Sequence, residues 1–269
     1  MLNKISKENE VNFCSVYGPV ISWRYGVSLG IDPIGLVSTC SFNCVYCQLG
    51  EIENITSDRA VFVPTEQILK DIKKFSYSDS DIITLSGSGE PTLAANLEEI
   101  ISNLKLITGK PILVLTNGTL LNQQNVRSDL ALADKVSVKI DAIDPQQLKR
   151  INRPIKSINM EEILAGIKAF RKEFSGELGI QTMILSNWND SKQSEYISIM
   201  RQIKPDEIQI NTPKRPKPLK HQLDARGNYS AVDTRPYKVK VFKCVDREIL
   251  QAFANKINQA TGISVRFPV

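Results

Sequence analysis

The chain has 269 residues, 42% of them apolar and 23% charged, with a formal net charge of +5. That balance fits one large globular domain or two small ones and excludes a disordered or fibrous chain. No apolar run approaches the roughly 20 residues of a membrane span, and residues 1–10 lack the apolar stretch of a secretory signal, so a cytoplasmic protein is expected. The cysteines are Cys14, Cys40, Cys44, Cys47 and Cys244. An odd number with three crowded into one short segment argues against a disulfide framework and for a metal site in a reducing compartment.

Short β-branched runs alternate with longer amphipathic segments, the pattern of βα units and a parallel sheet. Strands are expected at 35–38, 82–86, 112–116, 136–141, 178–185 and 207–211, and helices at 65–75, 96–108, 122–133, 160–174 and 191–203. Thr65 after Pro64 and Asp190 are expected to cap their helices, and Gly109 to end the helix before it in a left-handed conformation. Segment 213–237 is rich in proline and basic residues and reads as a long loop. A strand at 239–242, a helix at 246–260 and a strand at 263–267 follow. Six parallel strands with intervening helices fit an α/β fold, a partial (β/α)6 TIM-like barrel over 1–212, with a short C-terminal α+β extension over 213–269. A doubly wound open sheet is the competing architecture. In both, ligands sit at the C-terminal ends of the strands.

The residues that carry chemistry fall at those ends. Cys40, Cys44 and Cys47 follow the first expected strand with the spacing Cys-x3-Cys-x2-Cys. Soft thiolates so placed suit three corners of an iron–sulfur cubane, or zinc. No fourth ligand is near, and the sole histidine, His221, is distant in sequence. The second strand ends in Ser86-Gly87-Ser88-Gly89-Glu90-Pro91-Thr92, where Gly87 and Gly89 allow close backbone approach to a ligand and Glu90 adds a carboxylate. Asn117-Gly118 closes the third strand as a turn or a ligand contact. On the fourth, alternation puts Ser137, Lys139 and Asp141 on one face. Buried parallel strands are normally apolar throughout, so a polar face needs an edge or a ligand. Met183 and Cys244 read as core residues, and the polar Asn211-Thr212-Pro213 lies over the expected mouth.

The cysteine spacing, with Tyr46 just before the last cysteine, resembles the defining motif of the radical S-adenosylmethionine (SAM) superfamily. The stretch from Tyr17 through Trp23 and Arg24 to Asp32, the run Ile151-Asn152-Arg153-Pro154, and Asn211-Thr212-Pro213-Lys214-Arg215-Pro216 resemble one subgroup of it, the Fe–S oxidoreductases similar to wyosine-type tRNA-modifying synthetases. The resemblance implies that Cys40, Cys44 and Cys47 ligate a [4Fe–4S] cluster whose fourth iron is chelated by SAM. It further implies that Gly87, Ser88, Gly89 and Glu90 hold the SAM amino group, that Lys139 pairs with the SAM carboxylate, and that Asp141 accepts from the ribose. Tyr46 would pack near the cluster and adenine, with Asn117 a further SAM contact. The activity implied is reductive cleavage of SAM and hydrogen abstraction from a substrate, with a flavodoxin- or ferredoxin-like electron donor. One departure stands out: wyosine synthases carry a second cluster on additional N-terminal cysteines, and here only Cys14 precedes the motif.

The basic residues Lys214, Arg215, Lys217, Lys220, Arg226, Arg235, Lys238, Lys240 and Lys243, opposed only by Asp224 and Asp233, would suit the phosphates of a tRNA substrate. They would also suit a solvated loop, or a docking loop for a peptide substrate. A monomer is expected. A structural zinc module is the non-enzymatic alternative.

Overall fold

The structure is a computed structural model that describes residues 13–227 and 235–268; residues 1–10 and Asp233, for which expectations stand above, lie outside them. One eight-stranded sheet runs through the chain in sequential order. Its strands are β1 (Val16–Ser22), β2 (Gly26–Ile31), β3 (Ile82–Leu85), β4 (Ile112–Thr116), β5 (Lys135–Lys139), β6 (Glu177–Met183), β7 (Glu207–Asn211) and β8 (Ser264–Arg266). β1 is antiparallel to β2, and every other pairing is parallel. The helices are α1 (Thr65–Ile72), α2 (Leu97–Thr108), α3 (Gln124–Leu130), α4 (Pro145–Ile151), α5 (Met160–Glu173), α6 (Asp190–Ile203) and α7 (Arg247–Thr261). The sheet curls into the expected half-barrel. No helix among the described residues is long and apolar enough to cross a membrane.

Alternation along the strands explains the layering. Val136 and Val138 of β5, Ile180 of β6, and Ile208 and Ile210 of β7 join one apolar core with Ile163, Ile167 and Phe170 of α5 and Tyr196 and Met200 of α6. The residues between them, Ser137, Lys139, Gln181 and Gln209, take the other, concave face. α7 completes the outer layer through Phe253, which packs 5.7 Å from Trp188 and 5.5 Å from Tyr196, ring centre to ring centre.

Several expectations are corrected. Residues 35–38 are not a strand: Gly35 has φ +98 and the apolar side chains of Leu36 and Val37 are exposed. The first parallel strand is β2, which the sequence reading missed together with β1 and the short helix α4. α1 ends at Ile72 and α3 spans only Gln124–Leu130. Pro64, not Thr65, is the cap position of α1, and the Thr65 hydroxyl instead donates to Glu99 at 2.6 Å. Asn189, not Asp190, caps α6 by accepting from the Lys192 N–H. Gly109 ends α2 at φ 62, as expected. The strand at 239–242 shrinks to Val239–Lys240, paired with Lys217–Pro218, while the final strand joins the main sheet beside β7. Cys244 is exposed rather than core.

After β7 the chain turns back over the C-terminal ends of the strands and is fastened there. Arg226 Nη1 lies 2.8 Å from Asp32 Oδ2, with the two side chains 8% and 0% exposed. Its guanidinium also covers the rings of Phe13 and Tyr17. Removing one partner of a buried ion pair costs roughly 3–5 kcal/mol. Asp32 keeps the N–H groups of Ile34, Gly35 and Ser88 as donors. Arg226→Met, which preserves packing volume, is therefore expected to lose about 3 kcal/mol, the low end of that range, read from the urea denaturation midpoint. A change within 0.5 kcal/mol would show that the pair contributes nothing net.

Candidate cluster and cofactor site

The cysteine loop is pinned by backbone hydrogen bonds to separate elements. Thr39 bonds to the loop after β3, donating its N–H to Ser88 O at 3.1 Å and accepting from Glu90 N–H at 3.0 Å. Asn43 and Val45 donate to Asn152 O and Ile151 O at the end of α4. The Ser41 hydroxyl meets that of Thr119, beyond β4, at 2.8 Å. Cys40, Cys44 and Cys47 are free thiols, half-buried. Side-chain amides aim at two of them: Asn117 Nδ2 is 3.5 Å from Cys40 Sγ, and Asn152 Nδ2 is 3.4 Å from Cys44 Sγ. Burial pushes the Cys44 thiol up to about 12, with Asp141 adding to the effect and Lys139 opposing it. Cys40 and Cys47 are raised for the same first reason, burial. A cation must therefore replace the protons before these sulfurs become ligands. Among the described residues, no three His, Cys, Asp or Glu side chains converge as a single-ion chelate does.

Gly87, Ser88, Gly89 and Glu90 lie directly against this loop, and the glycines are there for a reason the sequence did not show. A Cβ on Gly89 would stand 1.7 Å from Thr39 O, and one on Gly87, at φ +113, 2.4 Å from Asp32 Cγ. The close approach is loop on loop. Ser88 donates its N–H and hydroxyl to Asp32 Oδ2 at 3.0 and 2.6 Å. The Glu90 carboxylate is buried and accepts from the Thr92 N–H and hydroxyl, the Thr116 hydroxyl at 2.6 Å and the Asn117 N–H at 2.7 Å. Burial holds its pKa above the usual carboxylate value while these donors oppose the rise.

Asp141, just past β5, is likewise turned inward, its side chain 0% exposed. It accepts from the Tyr46 hydroxyl, from Asn152 Nδ2 at 2.8 Å and from Met183 N–H at 2.7 Å. Burial first, and Asp141 second, hold the Tyr46 phenol well above its usual pKa. Lys139 Nζ stands 3.7 Å from Asp141 Oδ1 and 4.8 Å from the centre of the Tyr46 ring. Phe42, Asn117, Lys139, Asp141 and Asn152 line one cleft. Asn152 Oδ1 is buried without a hydrogen-bond partner. Its amide cannot be turned over, because that would set Oδ1 against the Asp141 carboxylate.

The basic segment divides into two kinds of residue. Lys217 is buried, paired with Glu51 at 2.7 Å and donating to Cys44 O at 3.3 Å. Arg215 donates to Gln48 Oε1 at 2.8 Å, Gln222 N–H to Leu49 O, and His221 Nδ1 meets Glu53 at 3.0 Å. These residues strap the cysteine loop down. Lys214, Lys220, Lys238, Lys240 and Lys243 are exposed, as is Arg215 despite its bond to Gln48. Sequence reasoning did not pick Asn152 or Lys217 as site residues. The signals present were the Asn152-Arg153-Pro154 run and a lysine flanked by Pro216 and Pro218.

The sequence pattern of the Radical SAM superfamily matches residues 34–198, the span that holds the cysteine loop, the glycine loop and β3 to β6. The chain belongs to the radical SAM superfamily, a family of enzymes. UPF0026 protein slr1464 of Synechocystis sp. is 56% identical over 254 residues, 94% of this chain and 96% of that protein. UPF0026 protein MJ1312 of Methanocaldococcus jannaschii is 36% identical over 211 residues, 76% of this chain and 65% of its own length. Among solved structures, Streptococcus suis SuiB bound to precursor peptide SuiA superposes with a TM-score of 0.59 at 13% identity, covering 89% of this chain and 48% of SuiB. The chain thus spans about half of that structure, which shares its fold.

Radical SAM enzymes use a [4Fe–4S] cluster and SAM. The donor set here fits both: three soft thiols, two with amide N–H groups aimed at sulfur, beside a cleft lined by Lys139 and by Asn152, whose buried carbonyl has no partner. Gly89→Ala forces the cysteine loop off the glycine loop. It should cost on the order of 3 kcal/mol, the upper end for overpacking, and reduce iron incorporation on anaerobic reconstitution. Wild-type iron content with unchanged thermal stability would show that the two loops can separate harmlessly.

Proposed function

We propose that this radical SAM enzyme holds its [4Fe–4S] cluster on Cys40, Cys44 and Cys47, binds SAM in the adjoining cleft, and abstracts hydrogen from a substrate lodged on the polar concave face. The observation that carries the reading is Asn152, a residue of the cleft that Lys139 also lines: one end of its amide is spent on Cys44 and Asp141, and the other is buried and unpartnered. A buried orphan acceptor costs about 1–3 kcal/mol unless a ligand donates to it. When bound, the cluster and SAM supply one-electron reductive cleavage of the sulfonium bond and hydrogen-atom abstraction, with the electron brought by a flavodoxin- or ferredoxin-like donor.

The chain's own residues do the positioning. Asn117 and Asn152 orient the Cys40 and Cys44 sulfurs and favour their thiolate forms. Lys139 offers a cation to the carboxylate of SAM, and Asn152 Oδ1 accepts from its amino or hydroxyl groups. The backbone of Ser88 and Gly89 would border the amino group. Glu90 and Asp141, whose oxygens are taken by protein donors, act as braces: Glu90 fixes Asn117, and Asp141 fixes Tyr46 and Asn152. This reassigns Asp141 from a ribose contact to a holder of the loop. Because Lys217 and Arg226 are internal, they add nothing to the case for an RNA substrate, which rests on the exposed Lys214, Arg215, Lys220, Lys238, Lys240 and Lys243.

Anaerobic reconstitution should give about four irons per chain, as a cubane requires, and added SAM should perturb the reduced spectrum. Replacing any one of Cys40, Cys44 or Cys47 with Ala should abolish SAM cleavage. Asn152→Ala should keep the iron and weaken SAM binding roughly tenfold, the equivalent of one hydrogen bond of about 1.4 kcal/mol. Tightly held zinc without iron–sulfur absorbance would overturn the reading.

A further inference from the structure

Two of the three thiols are joined by a turn that carries its own cation. Cys47 N–H donates to Cys44 O at 3.2 Å, and Lys217 Nζ donates to the same carbonyl at 3.3 Å. The ammonium thus sits against the peptide of one cysteine where the chain bends back toward the next. The Lys217 side chain is 5% exposed, whereas that of Glu51, its partner at 2.7 Å, is 49% exposed.

Burying an ammonium costs free energy that a single ion pair repays only in part. The strap is fastened to this loop without it, by Gln222 N–H on Leu49 O at 2.8 Å and by Gln48 Nε2 on Ala225 O at 3.2 Å. Asn43 Nδ2 also donates to Glu51, at 2.7 Å, and Lys217 holds the Glu51 carboxyl below its usual pKa, so the pair is ionised at neutral pH. Glu51 lies half in water and is screened, while the ammonium lies in a medium of lower dielectric, so their fields do not cancel at the turn. Burial raises the Cys47 thiol, and the Leu49 N–H and then Lys217 and Lys139 oppose that rise.

Reduction adds one negative charge to an iron–sulfur cluster, and the charge around the cluster is one of the levers that set its potential. A fixed cation beside the ligands favours the reduced form, and an anion opposes it.

We propose that Lys217 tunes the reduction potential of the cluster site by holding a buried positive charge at the Cys44–Cys47 turn, so that the electron is accepted at a less negative potential than the cysteines alone would set. The inference rests on the preceding reading that Cys40, Cys44 and Cys47 hold the cluster. The step concerned is transfer of one electron from the flavodoxin- or ferredoxin-like donor, with no bond made or broken. Lys139, 4.8 Å from the centre of the Tyr46 ring in the same turn, is engaged by the SAM carboxylate in that reading. Lys217 acts whether or not SAM is bound.

The test is a redox titration of the anaerobically reconstituted protein without SAM, followed by electron paramagnetic resonance, with iron content measured in every variant. Lys217→Met and Glu51→Gln break the same ion pair, so a purely mechanical role would move the potential alike in both. Charge predicts opposite signs. Lys217→Met should take up wild-type iron and fall in potential by about 59 mV or more, a tenfold change in a one-electron equilibrium. Glu51→Gln should rise. Lys217→Arg, which keeps the charge, should stay nearer wild type than Lys217→Met. Shifts of the same sign in Lys217→Met and Glu51→Gln, or an unmoved potential in a fully loaded Lys217→Met, would overturn the inference and leave the cluster reading standing. So would failure of Lys217→Met to load iron together with an unmoved potential in Glu51→Gln. A wild-type protein that takes up no iron would overturn the cluster reading and the inference with it.

Discussion

A single carboxylate ties together the segments from which the site is built. Asp32, at the end of β2, is fully buried and accepts from the N–H groups of Ile34 and Gly35, which lead into the cysteine loop. It accepts again from the N–H and hydroxyl of Ser88 in the glycine loop, and from Arg226 in the strap. Donors to an ionised group form stronger and shorter bonds than neutral pairs. With its contacts shared among three loops, Asp32 fixes the loops' mutual position more firmly than apolar packing could, since apolar contacts have no direction.

The same device recurs at two further points. Glu90 binds the end of β4, and Asp141 binds Tyr46, Asn152 and Met183. Each carboxylate is buried and surrounded by neutral donors, with Lys139 the cation paired with Asp141 among the described residues. A half-barrel makes this arrangement necessary. Its strands present an apolar outer face to the helices, and its mouth is walled by irregular loops whose backbone groups need partners. Buried carboxylates supply acceptors where no strand can.

The fold was legible wherever a segment was stabilised locally. β4 and β7 fall on the residues expected, and α5 differs by one residue at its end. β1 and β2 were not legible because Gly18, Gly26 and Gly30 interrupt them: Gly30 is demanded by the Tyr17 ring, whose nearest atom would lie 2.3 Å from an added Cβ. Only the folded hairpin shows why glycine belongs in that strand. α4 carried its signals, an Asp144 cap and Pro145 at the first position, on a segment too short for periodicity to stand out. That the three cysteines share one loop was legible because their spacing is local. Asn152 and Lys217 were not, since their roles arise from contacts 108 and 173 residues away along the chain. The polar face of β5 was read correctly as unusual, but the sequence could not show that Asp141 turns back toward the protein.

The strap also sets an order of events during synthesis. Its bonds to the cysteine side of the molecule span 167 residues from Arg215 to Gln48 and 194 from Arg226 to Asp32. Contacts so remote must wait for loop closure, the slow step in forming non-local structure. Translation delivers the chain from its N-terminus, so the cysteine loop emerges early and stays uncovered until the segment after β7 has been made. The part of the site that meets the cell first is therefore the last to be sealed. Whatever loads or inspects the thiols on the nascent chain has that interval in which to reach them.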